Sequence, residues 1–222
     1  MVGADTASAM LLDAAHRQAH RGDYALAVAL AEELLDLDPQ NVDALLLVAD
    51  AAPRYGHGEV GVLAARSAAE ACIGVGRDLP RAHAVRALAL ELLGRLPEAD
   101  EALAQAHALR PESYPLPVHV AEDAWDAHLL RGIAGLDLQE QAAIRHWEIS
   151  FRAAPTPEVL LRASPPLPPS TLSSLSQDDD GLPRLQLYTR NLTRGTGTES
   201  AVVDRITEAL RDELEWFTRD DS

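Results

Sequence analysis

The chain has 222 residues, of which 47% are hydrophobic but only 4% aromatic, so its core must be built from alanine and leucine packed at close range. It carries 19 basic against 35 acidic residues, a formal net charge of -16, and every base is an arginine, which argues against nucleic acid because an acidic surface with no basic run repels phosphate. A single cysteine, Cys72, precludes an internal disulfide framework; with no apolar run long enough for a bilayer and no signal peptide, no membrane partner and a cytoplasmic location are expected.

Met10, Leu11, Ala14, Ala15 and Ala19 follow helical spacing until Arg21-Gly22-Asp23-Tyr24 interrupts it with a glycine suited to a left-handed cap. A second helix carries Ala27, Leu30, Ala31, Leu34, Leu35 and Leu37, and Asp38-Pro39-Gln40-Asn41 stops it, since proline cannot donate the next helical bond. The same offsets return over Pro80 to Pro111, at Ala87, Gly94, Ala99, Ala106 and Pro111. Between them, Val42 to Gly76 reads as a degraded copy: Ala49, Gly56 and Ala68 fit, but Pro53 sits inside the first helix and Gly61 replaces an alanine. That unit is expected to be kinked, and Cys72 to Asp78 to form an enlarged connection. Helix, glycine turn, helix and proline stop in about 34 residues resembles the tetratricopeptide (TPR) repeat. The resemblance implies a concave groove for a protein or peptide partner, with His16, His20, Asp50, Arg54 and Glu91 as its binding residues.

After Pro111, Glu112-Ser113-Tyr114-Pro115-Leu116-Pro117 is a proline-punctuated connector, which divides the chain into domains at 1–115 and 116–222. Val118 to about Ala134 is predicted to be helical, with Val120, Ala124, Ala127, Leu130 and Ala134 on one face, and a short helix is expected over Leu138 to His146. The next segment reads in two ways. Ala143, Trp147, Ser150 and Pro155 fit the second helix of a fourth repeat, whereas Trp147, Ile149 and Phe151 alternate with polar residues as a strand does. The strand is favoured because aromatic and β-branched residues, scarce elsewhere, gather there on one face. Pro157 to Ala163 predicts a helical turn, and Pro165 to Gly181 has the composition of a linker ending in the acidic turn Asp178-Asp179-Asp180-Gly181. Arg184 to Tyr188 reads as a second strand. Thr196 to Glu199 has capping-box spacing ahead of an amphipathic helix to about Phe217, with Val203, Ile206, Leu210, Leu214 and Phe217 on one side.

That order of elements, with Ala154-Pro155-Thr156-Pro157-Glu158-Val159-Leu160, Pro165-Pro166-Leu167-Pro168-Pro169, Leu172-Ser173-Ser174-Leu175 and above all the run Tyr188 to Leu192, resembles the minimal zincin-like metallopeptidase family, some of whose members carry TPR repeats in front. The resemblance implies that the proline-rich run is an ordered crossing segment and that the closing helix descends from an HExxH zinc motif. In that motif two histidines four apart hold the metal and the glutamate polarises water. The matching residues here are Asp212-Glu213-Leu214-Glu215-Trp216. Glu213 stands at the general base, Asp212 at the first histidine and Trp216 at the second, and a further acidic ligand is expected at Asp220 or Asp221. An indole offers no in-plane lone pair, so Trp216 is expected to fill the vacated space and Glu213 to be an ordinary carboxylate on an acidic helix face. No catalytic residue, no metal site and no cofactor are therefore expected.

His16 and His20, four apart, have metal-capable spacing, but the groove role is preferred; His107, His119, His128 and His146 form no motif. Cys72 reads as a small buried residue, Gly195-Thr196-Gly197 as a flexible turn, and Asp178 to Asp180 as a solvated turn without the alternation of a calcium loop. The fold expected is mainly α, a TPR-like helical repeat solenoid followed by a small α+β zincin-like domain. The function expected is a non-catalytic protein–protein interaction adaptor whose acidic repeats suit basic or amphipathic segments. The alternatives are a zinc metallopeptidase with unusual ligands, which bound zinc would reveal, and a pure repeat scaffold with a structural cap, which a strand at Arg184 to Tyr188 would disfavour.

Overall fold

The computed structural model describes residues 2–54, 59–76, 79–161, 170–177 and 180–220. In chain order the helices of the repeats are α1 (Val2–His20), α2 (Tyr24–Leu37), α3 (Val42–Ala51), α4 (Glu59–Val75), α5 (Leu79–Leu92) and α6 (Leu96–Leu109). There follow α7 (Trp125–Ala134), α8 (Leu138–Ile144), β1 (Glu148–Arg152), α9 (Pro157–Leu160), β2 (Ser173–Gln177), β3 (Pro183–Tyr188), α10 (Thr189–Thr193) and α11 (Glu199–Asp220). Two compact units result, Met1–Tyr114 with Thr156–Pro169, and Pro115–Pro155 with Ser170–Ser222. The short helix α9 thus belongs to the repeats, where Leu160 is fully buried in their core, although it lies within 116–222.

In the first unit the helices pack as three pairs, α1 with α2, α3 with α4 and α5 with α6. The turns explain why. Gly22 and Gly94 adopt positive φ (82° and 71°), which costs glycine nothing and other residues about 1 kcal/mol or more. Each closes its helix with a pair of backbone bonds: Gly22 N–H to Ala19 O at 3.1 Å and Asp23 N–H to Gln18 O at 3.0 Å, and equivalently Gly94 to Glu91 at 2.9 Å and Arg95 to Leu90 at 2.8 Å. Asp23 then starts α2 by accepting the Leu26 N–H at 3.1 Å, and Asn41 starts α3 by accepting that of Ala44 at 3.1 Å. Ala15, Ala31, Ala49, Ala65, Ala69, Ala82 and Ala89 are all buried, as a core poor in aromatics requires.

The middle repeat departs from its neighbours at the proline. α3 stops at Ala51, and Ala52–Arg54 tightens into a 3-10 turn around Pro53. The backbone of α4 comes so close to this turn that a Cβ on Gly61 would lie 2.2 Å from the Ala52 carbonyl oxygen. Glycine at 61 is therefore matched to proline at 53. The expected start of an enlarged connection at Cys72 is corrected: α4 continues to Val75 with Cys72 fully buried in it, and Gly76 follows at φ 77°. Gly56 and Asp78 lie outside the described residues.

In the second unit, helix begins later than periodicity predicts. Pro117 and the β-branched Val118 and Val120 keep the chain irregular, Ala121 is extended (ψ 145°), and α7 follows a 3-10 turn at Glu122–Ala124. Asp137 caps α8 in a reciprocal box with Glu140. The sheet order is β1-β3-β2: β1 runs parallel to β3 with Ile149 opposite Leu185 and Phe151 opposite Leu187, and β2 runs antiparallel with Leu175 opposite Leu185. Both expected strands are present, and β2 occupies part of the expected linker; Pro165 to Pro169, Asp178 and Asp179 lie outside the described residues. Leu185 and Leu187 share one core with Val202, Ile206, Ala209, Leu210 and Leu214 of α11, so Val202 rather than Val203 is the fully buried valine. The cap of α11 also differs. Thr198 accepts the Ala201 N–H at 3.2 Å, while the buried Thr196 donates to Thr193 O at 2.7 Å.

Two glycines of α4 separate packing from propensity. By helix propensity alone, alanine for glycine stabilises by about 1 kcal/mol. Gly74→Ala meets no atom within 4 Å and should be neutral or stabilising by up to that amount. Gly61→Ala must push against backbone and should destabilise by about 1–3 kcal/mol. Thermal melts of the two variants should move in opposite directions.

Candidate functional site

Where α1, α2, α3 and α5 converge, the first unit holds a groove of about 430 Å³. Ala19, Leu47, Ala49, Ala65, Val85 and Leu88 give it apolar surface, and its polar groups are His16, His20, Tyr24, Asp50, Arg54 and Arg81. His16, half-buried, and His20, exposed, stand one turn apart on α1, as their four-residue spacing dictates. Arg54 sits at the end of the 3-10 turn that Pro53 produces. Its Nη1 donates to the Tyr24 hydroxyl at 3.0 Å, and the guanidinium lies over the Tyr24 ring at 5.2 Å. Its Nε is buried with no hydrogen-bond partner, and among the described residues no carboxylate pairs with it. Arg81 reaches from α5 to Asp50 at the end of α3, 2.5 Å away.

Four of the five expected groove residues, His16, His20, Asp50 and Arg54, line this one groove. Glu91 does not. It is 3% exposed on α5, next to the lining residue Leu92 but rotated off that face. Tyr24, Arg81 and Leu88 were missed. Tyr24 carried a signal in its place after the glycine turn, whereas nothing local distinguishes Arg81 from other surface arginines.

The second unit holds a different polar site. Glu213 projects from α11 toward β2, and its Oε1 accepts the Ser173 hydroxyl at 2.8 Å. Ser173 is itself buried, and its neighbour Ser174 shares a 2.6 Å hydrogen bond with the hydroxyl of the fully buried Tyr188. Burial pushes the Glu213 carboxyl above its ordinary range, Ser173 pulls it back down, and the Asp212 charge adds to the rise. Glu213 is therefore a desolvated, hydrogen-bonded acid, which corrects the expectation of an ordinary surface carboxylate. Trp216 is corrected too. It is 55% exposed and fills no interior space, and it is Phe217 that packs on Trp147, edge-on at 5.7 Å.

The donors here do not fit zinc. Asp212 is exposed, Trp216 has no lone pair to give, and the Glu213 carboxylate is engaged by Ser173. Among the described residues no three of His, Cys, Asp and Glu converge as a metal site. Asp221 lies outside them. His128, 1% exposed, is held in α7 with Nδ1 2.7 Å from Ala124 O and Nε2 3.4 Å from a Glu199 carboxylate oxygen, and it reaches neither site. Among the described residues, no helix is long and apolar enough to cross a membrane.

Because the Glu213 carboxyl is raised in the folded chain, the folded state holds its proton to higher pH than the unfolded state does. The contribution of Glu213 to stability is greatest below the unfolded carboxylate range, about pH 4.3, and is lost as pH rises through the folded value. Glu213→Gln keeps an acceptor for Ser173 and removes the charge. It should melt higher than wild type at pH 7, and the difference should vanish in melts below about pH 4.3.

No family model matches the chain, and no curated protein does. Among solved structures, it is similar to the first TPR of Spaghetti (RPAP3) bound to the HSP90 peptide SRMEEVD, with a TM-score of 0.43 and 22% identity over 47% of this chain and 79% of that one.

Proposed function

We propose that this chain is a non-catalytic protein-interaction adaptor, with the groove of its TPR-like helical repeats holding a segment of a protein partner. The observation that carries this reading is the groove itself: an apolar floor bordered by polar groups from successive helix pairs, where stacked repeats build extended concave surfaces. Its size falls within the range, about 300–1,000 Å³, of sites that engulf a ligand. The cytoplasm is the proposed location, a reducing compartment consistent with the single buried cysteine, Cys72. The test is affinity capture from the source cell with the full chain and with His16→Ala/His20→Ala. Capture should weaken for the variant while its melt stays within about 0.5 kcal/mol of wild type, as substitutions outside a packed core allow. Equal loss of folding and capture would make the two histidines structural.

For the second unit we propose a metallopeptidase-like domain that no longer holds metal and serves as a second binding surface. Support comes from the sequence resemblance, from the strand at Arg184 to Tyr188, and from Glu213 on the closing helix accepting a hydrogen bond from Ser173 of β2. Elemental analysis should find no stoichiometric zinc in the wild type. Asp212→His/Trp216→His should raise zinc affinity if the helix descends from the zinc motif. Near-stoichiometric zinc in the wild type would overturn this reading in favour of an enzyme.

A further inference from the structure

We propose that the chain pairs with a second copy of itself along the free edge of β1, antiparallel and about a two-fold axis at Ser150. β1 (Glu148–Arg152) is an edge strand of the order β1-β3-β2, and its ladder runs only to β3. Among the described residues no other backbone group bonds to it, so its outer row of N–H and C=O groups is unladdered. Alternation puts Glu148, Ser150 and Arg152 on an exposed face and Ile149 and Phe151 on the other, where both stay only half-buried although they pack against the core of the second unit. Trp147, half-buried beside Phe217, extends that incompletely covered apolar margin.

The symmetry of the strand's charges identifies the occupant as a second copy. A two-fold axis at Ser150 sets Glu148 of each copy opposite Arg152 of the other, Ile149 opposite Phe151, and Ser150 opposite itself. Opposite charges directly across an antiparallel pair attract, and an aromatic ring packs well beside a β-branched residue. Charges on an edge strand ordinarily oppose pairing, but these two differ in sign and stand equally far from Ser150, so each meets its complement. A parallel pairing in register would instead set Glu148 against Glu148 and Arg152 against Arg152. Arg152 is exposed and makes no ion pair or hydrogen bond among the described residues. Glu148 pairs with the Arg184 guanidinium of β3 at 2.7 Å, and its carboxylate can accept from a second guanidinium on the other side. Opposite residues of an antiparallel pair share a face, so Ile149 and Phe151 of both copies lie on one side and two three-stranded sheets join into one. Such a contact is isologous and closes at two copies. The pair then carries two repeat grooves, which under the groove reading above lets one partner with two segments bind both.

The test is sedimentation equilibrium of the full chain at about 0.15 M salt, where repulsion between two copies of charge -16 is screened within about 8 Å. A mass that rises with concentration to twice 23.9 kDa is expected. Glu148→Arg and Arg152→Glu should each weaken the dimer about tenfold or more, since each sets like charges across the two-fold axis. Mixing the two variants should restore a one-to-one pair, because both cross-strand contacts then join opposite charges, a gain that misfolding cannot produce. Ser150→Cys should cross-link the copies on oxidation: Cα atoms opposite one another in an antiparallel pair lie about 4.5–5.5 Å apart, within disulfide reach, and Cys72 is fully buried. A monomer at every concentration would overturn the proposal. So would a dimer that both charge reversals leave unchanged, a mixture no tighter than its components, or assembly beyond two copies.

Discussion

The contact on which the repeat unit depends is a backbone approach: the Ala52 carbonyl oxygen occupies the space where any side chain on Gly61 would begin. Pro53 ends α3 one turn early, the chain tightens through Ala52–Arg54, and α4 must pass directly over that turn. An alanine, the small residue used at the other crossings, is already too large. The same proline puts Arg54 at the end of the tightened turn, where the Tyr24 ring and hydroxyl receive it. What reads in sequence as decay of a repeat is thus a coupled change of two residues, and it places Arg54 in the groove.

The helical pairs were legible because their signals are local and steric. A glycine at positive φ, a capping Asp or Asn and a proline stop each act within a few residues, so Gly22, Asp23, Asn41 and Gly94 do in the fold what their positions imply. The strands β1 and β3 were legible through alternation of bulky residues on one buried face. β2 was not. Ser173-Ser174-Leu175-Ser176-Gln177 has little intrinsic strand preference, and it is held by its backbone ladder to β3 and by hydroxyl contacts that exist only in the tertiary fold. The start of α7 and the cap of α11 were misplaced by a few residues for a related reason, since spacing alone does not say which of several threonines turns its hydroxyl to the helix.

The groove was legible in part. His16, His20, Asp50 and Arg54 lie together, while Glu91, one residue from the lining Leu92, is turned away by the rotation of a single helical step. Glu213 was legible in position alone. Its place on α11 could be read, but its environment is set by Ser173, forty residues earlier, on a strand that the sequence hides.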